Sequence, residues 1–174
     1  GCFANAASPG GGSSAAHPLL TAAKIGNNAA LSKALKEGAS VGHADAMGNT
    51  ALHWAARDGR PAMVQTLLAE KASVDGQNAQ SLTPLMLAAA GGWDDCVQLL
   101  LAAGADRALA SAQGSTALKF ARARLEQVEA DERPRYAQVV LQLGGPAACV
   151  LVDGKFVSPT YANQVPGSAA PSPC

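Results

Sequence analysis

The chain has 174 residues, and its 13 lysines and arginines balance 13 aspartates and glutamates, so its formal net charge is zero. This length corresponds to one domain, and the balanced charge excludes the basic field that nonspecific nucleic-acid binding needs. No run of about 18 apolar residues exists to cross a bilayer. Apolar residues make up 48% of the chain, aromatic residues only 4%, and 39 residues are alanine. A core of such small side chains favours closely packed helices.

Residues 1–16 form the first predicted segment, a flexible tail rich in glycine and serine. Its beginning, Gly1-Cys2, resembles a dual acylation signal, with glycine as the myristate acceptor and cysteine as the palmitate acceptor. Asn5 stands where such signals carry Ser or Thr, and no basic stretch follows. Two interpretations stay open, a lipidated end that faces a membrane and a fortuitous or processed end.

A repeat with a step of 33 residues runs through the middle of the chain, as positions 50, 83 and 116 show. The segment that begins at Thr50 recurs in modified form at Thr83 and at Thr116. A second pattern, a valine followed by a leucine pair, keeps the same step from Val64 to Val97. Such a period indicates a solenoid, in which stacked units bury the apolar faces that a single unit leaves exposed.

Each unit predicts a turn followed by two helices. The repeated threonines are suitable N-caps of the first helix, and Pro84 follows one of them where its missing N–H costs nothing. Gly59 and Gly92 are expected to end the first helices. Pro61 suits the first turn of a second helix, and alanines such as Ala55 let the paired helices approach closely.

These residues resemble the ankyrin-repeat family. The family pattern is Asp, two variable residues, Gly, one variable residue, Thr-Pro-Leu-His, then Ala-Ala and Gly, and residues 45–74 match it closely. The resemblance implies an all-α solenoid of about four helix-turn-helix repeats. The expected repeats are 17–44, 45–77, 78–110 and 111–145.

Some positions depart from the family pattern. In the third repeat Asn78 replaces the Asp and Ser81 replaces the Gly. Lys71 stands where the neighbouring repeats have glycine, so we expect a lysine with positive φ. In the fourth repeat we expect a lengthened first helix that Pro134 ends. This longer unit is either a terminal cap or an arm that docks a partner.

Residues 146–174 form a C-terminal extension that becomes irregular at its proline-rich end. Within it, residues 149–157 predict two short strands around an Asp153-Gly154 turn. Because an isolated two-stranded hairpin is only marginally stable in water, it should lie on the last repeat or pair with another protein.

The sequence offers no convergent cluster of catalytic or metal-ligating groups. His17 and His43 lack ligand partners at metal-site spacing, and the resemblance implies a structural role for His53. The four cysteines are scattered, which predicts reduced thiols, and no phosphate loop or nucleophile elbow is present. We therefore expect no enzymatic activity, no cofactor, no metal and no small-molecule substrate.

Binding of another protein is the function that the resemblance implies. Members of the family hold partners with the tips of their turns and with the inner, concave face of the first helices. The matching positions are Ala46, Met47, Asn49, Trp54, Arg57, Asp58, Ala79, Gln80, Leu82, Ala90, Gln113 and Ser115. Met47, Trp54 and Leu82 would form a small apolar stripe, unless Trp54 mainly packs between repeats.

Two functions stay open for such a protein. The first is a soluble adaptor or scaffold that holds a partner on its concave face. The second is an accessory subunit that is permanently docked in a larger complex, either membrane-associated or not, through its tails and hairpin. The expected compartment is the cytoplasm, or the cytoplasmic face of a membrane if the N-terminus is acylated, or an organelle if the N-terminus results from removal of a transit peptide.

Overall fold

The computed structural model describes residues 17–144 and the strand residues 150–152 and 155–157. In this part of the chain eight α-helices form four successive pairs. They are α1 Pro18–Ile25, α2 Asn28–Lys36, α3 Ala51–Arg57, α4 Pro61–Ala69, α5 Pro84–Gly91, α6 Asp94–Ala102, α7 Ala117–Gln127 and α8 Arg133–Gln142. Two strands, β1 Val150–Val152 and β2 Lys155–Val157, pair antiparallel with Leu151 opposite Phe156. The predicted N-terminal tail, the turn of the hairpin and the proline-rich end lie outside the described residues.

The helix pairs stack into two layers, which confirms the predicted all-α solenoid. The first helices α1, α3, α5 and α7 contact one another in that order, and the second helices α2, α4, α6 and α8 form the other layer. Much of the first layer is alanine: Ala55, Ala56, Ala88 and Ala89 are all fully buried. Since these side chains are short, neighbouring helices pack at close distance, as the composition predicts.

Local signals place the ends of the helices. Thr50, Thr83 and Thr116 are the N-caps of α3, α5 and α7, as predicted. The prediction that α7 is lengthened is confirmed, because it has 11 residues while α3 has 7 and α5 has 8. The prediction that Pro134 ends α7 is wrong. α7 ends at Gln127, and Pro134 lies in the first turn of α8, where its missing N–H needs no partner.

The turns before α3 and α5 are built alike although their key residues differ. Asp45 Oδ1 accepts hydrogen bonds from the backbone N–H groups two and four residues later, at 3.0 and 2.9 Å. Asn78 Oδ1 accepts the two equivalent bonds, also at 3.0 and 2.9 Å. Ser81 adopts the positive φ of 56° that the turn requires, beside 75° at Gly48. The amide oxygen therefore replaces the carboxylate, and the turn tolerates both departures from the family pattern.

A large side chain covers a left-handed glycine at each junction between repeats. The pairs are Arg60 on Gly26, Trp93 on Gly59 and Tyr136 on Gly92. The indole Nε1 of Trp93 donates to Arg57 O at 2.9 Å, and the hydroxyl of Tyr136 donates to Ala90 O at 3.3 Å. Because both carbonyls lie at the C-terminal ends of first helices, the two aromatic side chains satisfy acceptors that helix geometry leaves open.

Lys71 adopts a left-handed conformation with φ of 61°, which confirms the prediction, while Gly38 and Gly104 have φ of 87° and 90° at the equivalent positions. Because glycine has no Cβ, Lys71→Gly should raise the free energy of unfolding by about 0.5–1 kcal/mol, measured by urea denaturation. The reverse change, Gly104→Lys, is the matched control and should lower it through backbone strain alone, since φ there is 90° and the added Cβ would meet nothing within 4 Å. Destabilisation by Lys71→Gly would contradict this account.

Candidate functional site

The tips of three successive turns form one row beside the first helices, which we call the turn-tip row. The backbone N–H of Ala79 donates to Met47 O at 3.0 Å, and that of Ala112 donates to Gln80 O at 3.1 Å. Gly48 permits this contact, since a Cβ there would lie 3.0 Å from the nitrogen of Ala79. Backbone hydrogen bonds therefore fix the spacing of the tips.

A pocket of about 160 Å³ lies beside this row, between the second and third repeats. We call it the groove, and its lining residues are Asn49, His53, Trp54, Arg57, Asn78, Gln80, Leu82 and Leu87. Small-molecule sites usually begin at roughly 300 Å³, so the groove is small for a cofactor. Its volume is comparable to that of one large side chain.

Two cations contact the ring of Trp54. The guanidinium carbon of Arg57 is 4.0 Å from the ring centroid, and Lys24 Nζ is 4.7 Å away. The indole Nε1 donates to Asp45 Oδ2 at 3.2 Å. Cations are attracted to the faces of an indole ring, so these contacts hold Trp54 in one orientation. Trp54 thus packs against the first repeat through Lys24 and also lines the groove.

Asp45 remains ionised at neutral pH. Burial raises the pKa of Asp45, but hydrogen bonds from the N–H groups of Asn49 and Met47, the indole N–H of Trp54 and the charge of Lys24 lower it below its ordinary value. Lys24 Nζ lies 3.5 Å from Asp45 Oδ2. The carboxylate therefore organises the turn, the indole and the lysine together.

His53 is the buried polar residue behind the groove, and it is 1% exposed. Its Nδ1 accepts from the backbone N–H of Thr50 at 3.2 Å and from Thr50 Oγ1 at 2.9 Å. Its Nε2 donates to Leu82 O at 3.1 Å, which assigns the neutral tautomer with the proton on Nε2. Burial lowers the pKa of His53 despite the opposing effect of the Leu82 carbonyl. His53 therefore links the second repeat to the third.

We expect the free energy of unfolding to fall as the pH drops below about 6.5. Burial lowers the pKa of His53 and of His17, and the stacked ring of His43, 4.0 Å away, lowers the pKa of His17 further. The unfolded chain then binds more protons than the folded chain, so stability is complete above the ordinary pKa and declines below it. Urea denaturation between about pH 5 and 8 measures this decline. His17→Asn should reduce the slope, and a flat profile for the unchanged protein would contradict the prediction.

Outside the groove, the described residues include one buried thiol, Cys96, and no candidate metal site. Within the described part of the chain, no group of three or more His, Cys, Asp or Glu side chains is placed to hold a metal ion. Burial, with the charges of Asp95 and Asp94, raises the pKa of the Cys96 thiol to about 11. Among the same residues no helix has both the length and the apolar character needed to cross a membrane.

Two overlapping sequence matches cover most of the repeats. The matched family is described as ankyrin repeats (3 copies), and the matches span residues 5–78 and 64–130. The chain belongs to the ankyrin-repeat family. A search of curated proteins finds no match to it. The paired helices, the N-cap threonines and the turn-tip row are therefore those of ankyrin repeats.

The groove of this ankyrin-repeat protein brings together five of the predicted partner-binding residues. They are Asn49, Trp54, Arg57, Gln80 and Leu82. Met47 does not line the groove but stands at a turn tip with 53% of its surface exposed, so the predicted apolar stripe of Met47, Trp54 and Leu82 stays a prediction. Ala46, Ala79 and Gln113 are exposed at the tips of their turns, and Ser115 is half-buried.

The remaining predicted residues have other surroundings. Asp58 lies beside the groove and pairs with Arg57 at 3.0 Å and with Arg60 at 3.6 Å. Ala90 is half-buried, and its carbonyl accepts from Tyr136. The proposed acylation residues, Gly1 and Cys2, lie outside the described part of the chain.

Three lining residues were not among the predicted partner-binding residues. They are His53, Asn78 and Leu87. Leu87 occupies the position of Trp54 one repeat later, so the 33-residue step could have found it. Asn78 could have been found as the counterpart of Asp45.

Proposed function

We propose that this ankyrin-repeat protein binds another protein through the groove and the turn-tip row. Ankyrin repeats in general mediate protein–protein interactions. The observation that carries the proposal is the groove, which has the size of one side chain and is lined by the half-buried Trp54 and the exposed Arg57. Tryptophan and arginine are enriched among the residues that dominate binding energy at interfaces.

The proposed role is that of a non-catalytic adaptor or scaffold. Hydrogen bonds between turn tips and the two cations on Trp54 hold the surface in place before a partner arrives. A surface that is already ordered loses less conformational entropy on binding. Met47 adds an exposed apolar contact at the tip of the row.

Replacing Met47, Leu82 and Arg57 together by alanine should abolish binding of the partner. The test recovers the full chain from its native source after cross-linking and compares the proteins that remain attached. A matched control replaces exposed residues of the other helix layer, Gln65 and Gln98 in α4 and α6, by alanine. We expect the control to retain the partner. Circular dichroism should show that both variants are folded, and retention of the partner by the triple variant would contradict the proposal.

A second candidate function is that of a structural subunit docked through residues 146–174. The pairing of β1 with β2 favours it, because a two-stranded sheet of three-residue strands is marginally stable unless something covers it. Deletion of residues 146–174 should then release the protein from a large, salt-resistant complex in size fractionation. If the triple variant releases it instead, the adaptor function is favoured.

A further inference from the structure

We infer that the groove recognises an aspartate or glutamate side chain on an extended segment of the partner protein. This inference deepens the proposed function and rests on it. It is based on which hydrogen-bonding groups in the groove are already occupied and which remain free.

Several of the acceptors that line the groove are occupied, although the side-chain amide of the exposed Gln80 has no hydrogen bond within the described residues. Leu82 O accepts from His53 Nε2 and from the backbone N–H of Asn78, both at 3.1 Å. Asn78 Oδ1 accepts from two backbone N–H groups, and Asn49 Oδ1 accepts from Asn78 Nδ2 at 2.8 Å. The carbonyl of Arg57 accepts from an indole N–H at 2.9 Å. A ligand that brings hydrogen-bond donors therefore finds few acceptors in the groove.

The donors of the groove are less occupied. Arg57 Nε donates to Asp58 Oδ1 at 3.0 Å, but among the described residues neither Nη of Arg57 has an acceptor. The second N–H of Asn78 Nδ2 and both N–H groups of Asn49 Nδ2 also lack an acceptor in that part of the chain. The groove therefore offers several donors to an oxygen acceptor.

Arg57 is held in a geometry that suits a carboxylate. Its guanidinium stacks at 4.0 Å on Trp54, and the bond from Nε to Asp58 fixes the plane of the group. The edge formed by the two Nη atoms stays free, and 51% of the side chain is exposed. Such an edge donates two parallel hydrogen bonds to the two oxygens of a carboxylate.

The local charge has the sign that an acidic segment requires. Lys24, Arg57 and Arg60 bring three positive charges, and Asp45 and Asp58 bring two negative charges that are both engaged by these cations. The cluster is therefore positive although the whole chain is neutral. Leu82 and Leu87 line the same groove and suit the methylene groups of a glutamate or an apolar neighbour of the acidic residue.

Selection of random peptides displayed on phage against the full chain tests this inference. We expect the selected peptides to share one Asp or Glu, and its change to Asn or Gln should lower affinity about tenfold. Arg57→Gln should lower affinity to the same extent. Combining the two changes should cost little more than either alone, because both remove the same contact. Arg107→Gln, at an exposed arginine that does not line the groove, is the matched control and should leave affinity unchanged.

The outcomes separate this inference from the proposed function. Selected peptides without a shared acidic residue, or with affinity that Arg57→Gln leaves unchanged, would overturn the inference. So would a selection that yields no binding peptide, because an extended acidic segment should be represented in the library. None of these results bears on recovery of the native partner, which tests the proposed function by itself.

Discussion

Replacing His53 by alanine should lower the free energy of unfolding by about 3–4 kcal/mol. The imidazole is 1% exposed, so its removal leaves a cavity at the junction between the second and third repeats. The change also removes the acceptor shared by the N–H and Oγ1 of Thr50 and the donor to Leu82 O. Urea denaturation of the variant and the unchanged protein measures the loss.

The equivalent residue of the third repeat provides a matched control. Met86 occupies that position and is also 1% exposed, so methionine is accommodated there without the hydrogen bonds of an imidazole. His53→Met should keep most of the packing and cost only about 1–2 kcal/mol for the lost hydrogen bonds. A cost below about 1 kcal/mol for His53→Ala would contradict the structural role of this residue.

Most of the helical framework could be predicted from the sequence because its signals are local. Thr50, Thr83 and Thr116 are all N-caps, and the hydroxyls of Thr83 and Thr116 accept from the backbone N–H three residues later. The positive φ of Lys71 also follows from position, since the same place in neighbouring repeats carries glycine. Each of these features depends on a few consecutive residues and on the repeat step.

Pro134 is compatible with two positions, just after the end of one helix or in the first turn of the next. Proline is unfavourable inside a helix but is well accommodated in the first turn of one, so the residue alone does not distinguish an end from a beginning. The structure places it at the beginning of α8. The position of α8 is set by its packing against α6 and α7, which the sequence pattern does not show.

The contacts across repeat junctions also could not be predicted from the sequence. Trp93 and Tyr136 cover equivalent glycines, but Tyr136 does not follow the 33-residue step, because α8 begins later than the step gives and Tyr136 lies inside α8 whereas Trp93 is the N-cap of α6. The unoccupied hydrogen-bond donors of the groove likewise cannot be recognised from the sequence. Whether Arg57 offers its Nη edge depends on the ring of Trp54 and the carboxylate of Asp58, whose positions only the folded chain fixes.

Replacing Gly59 by alanine should lower the free energy of unfolding by about 2–4 kcal/mol. Part of the loss is backbone strain, since φ at this position is 65° and a left-handed residue with a Cβ costs about 1–2 kcal/mol. The rest is steric, because the Cβ would lie 2.3 Å from the ring of Trp93. The indole must then move and loses its hydrogen bond to Arg57 O.

A substitution at Gly114 separates the backbone strain from the steric clash. Its φ of 70° matches that of Gly59, but a Cβ there would meet nothing within 4 Å, so Gly114→Ala should cost only the strain of about 1–2 kcal/mol. In a Trp93→Ala background, the cost of Gly59→Ala should fall to that of Gly114→Ala, because the clash is gone. If Gly59→Ala and Gly114→Ala lower the free energy of unfolding equally in the otherwise unchanged protein, Trp93 moves aside without a measurable cost. In a solenoid each repeat contacts only its neighbours, so an excess cost at Gly59 shows that Trp93 is held firmly at the junction of the two repeats that form the groove.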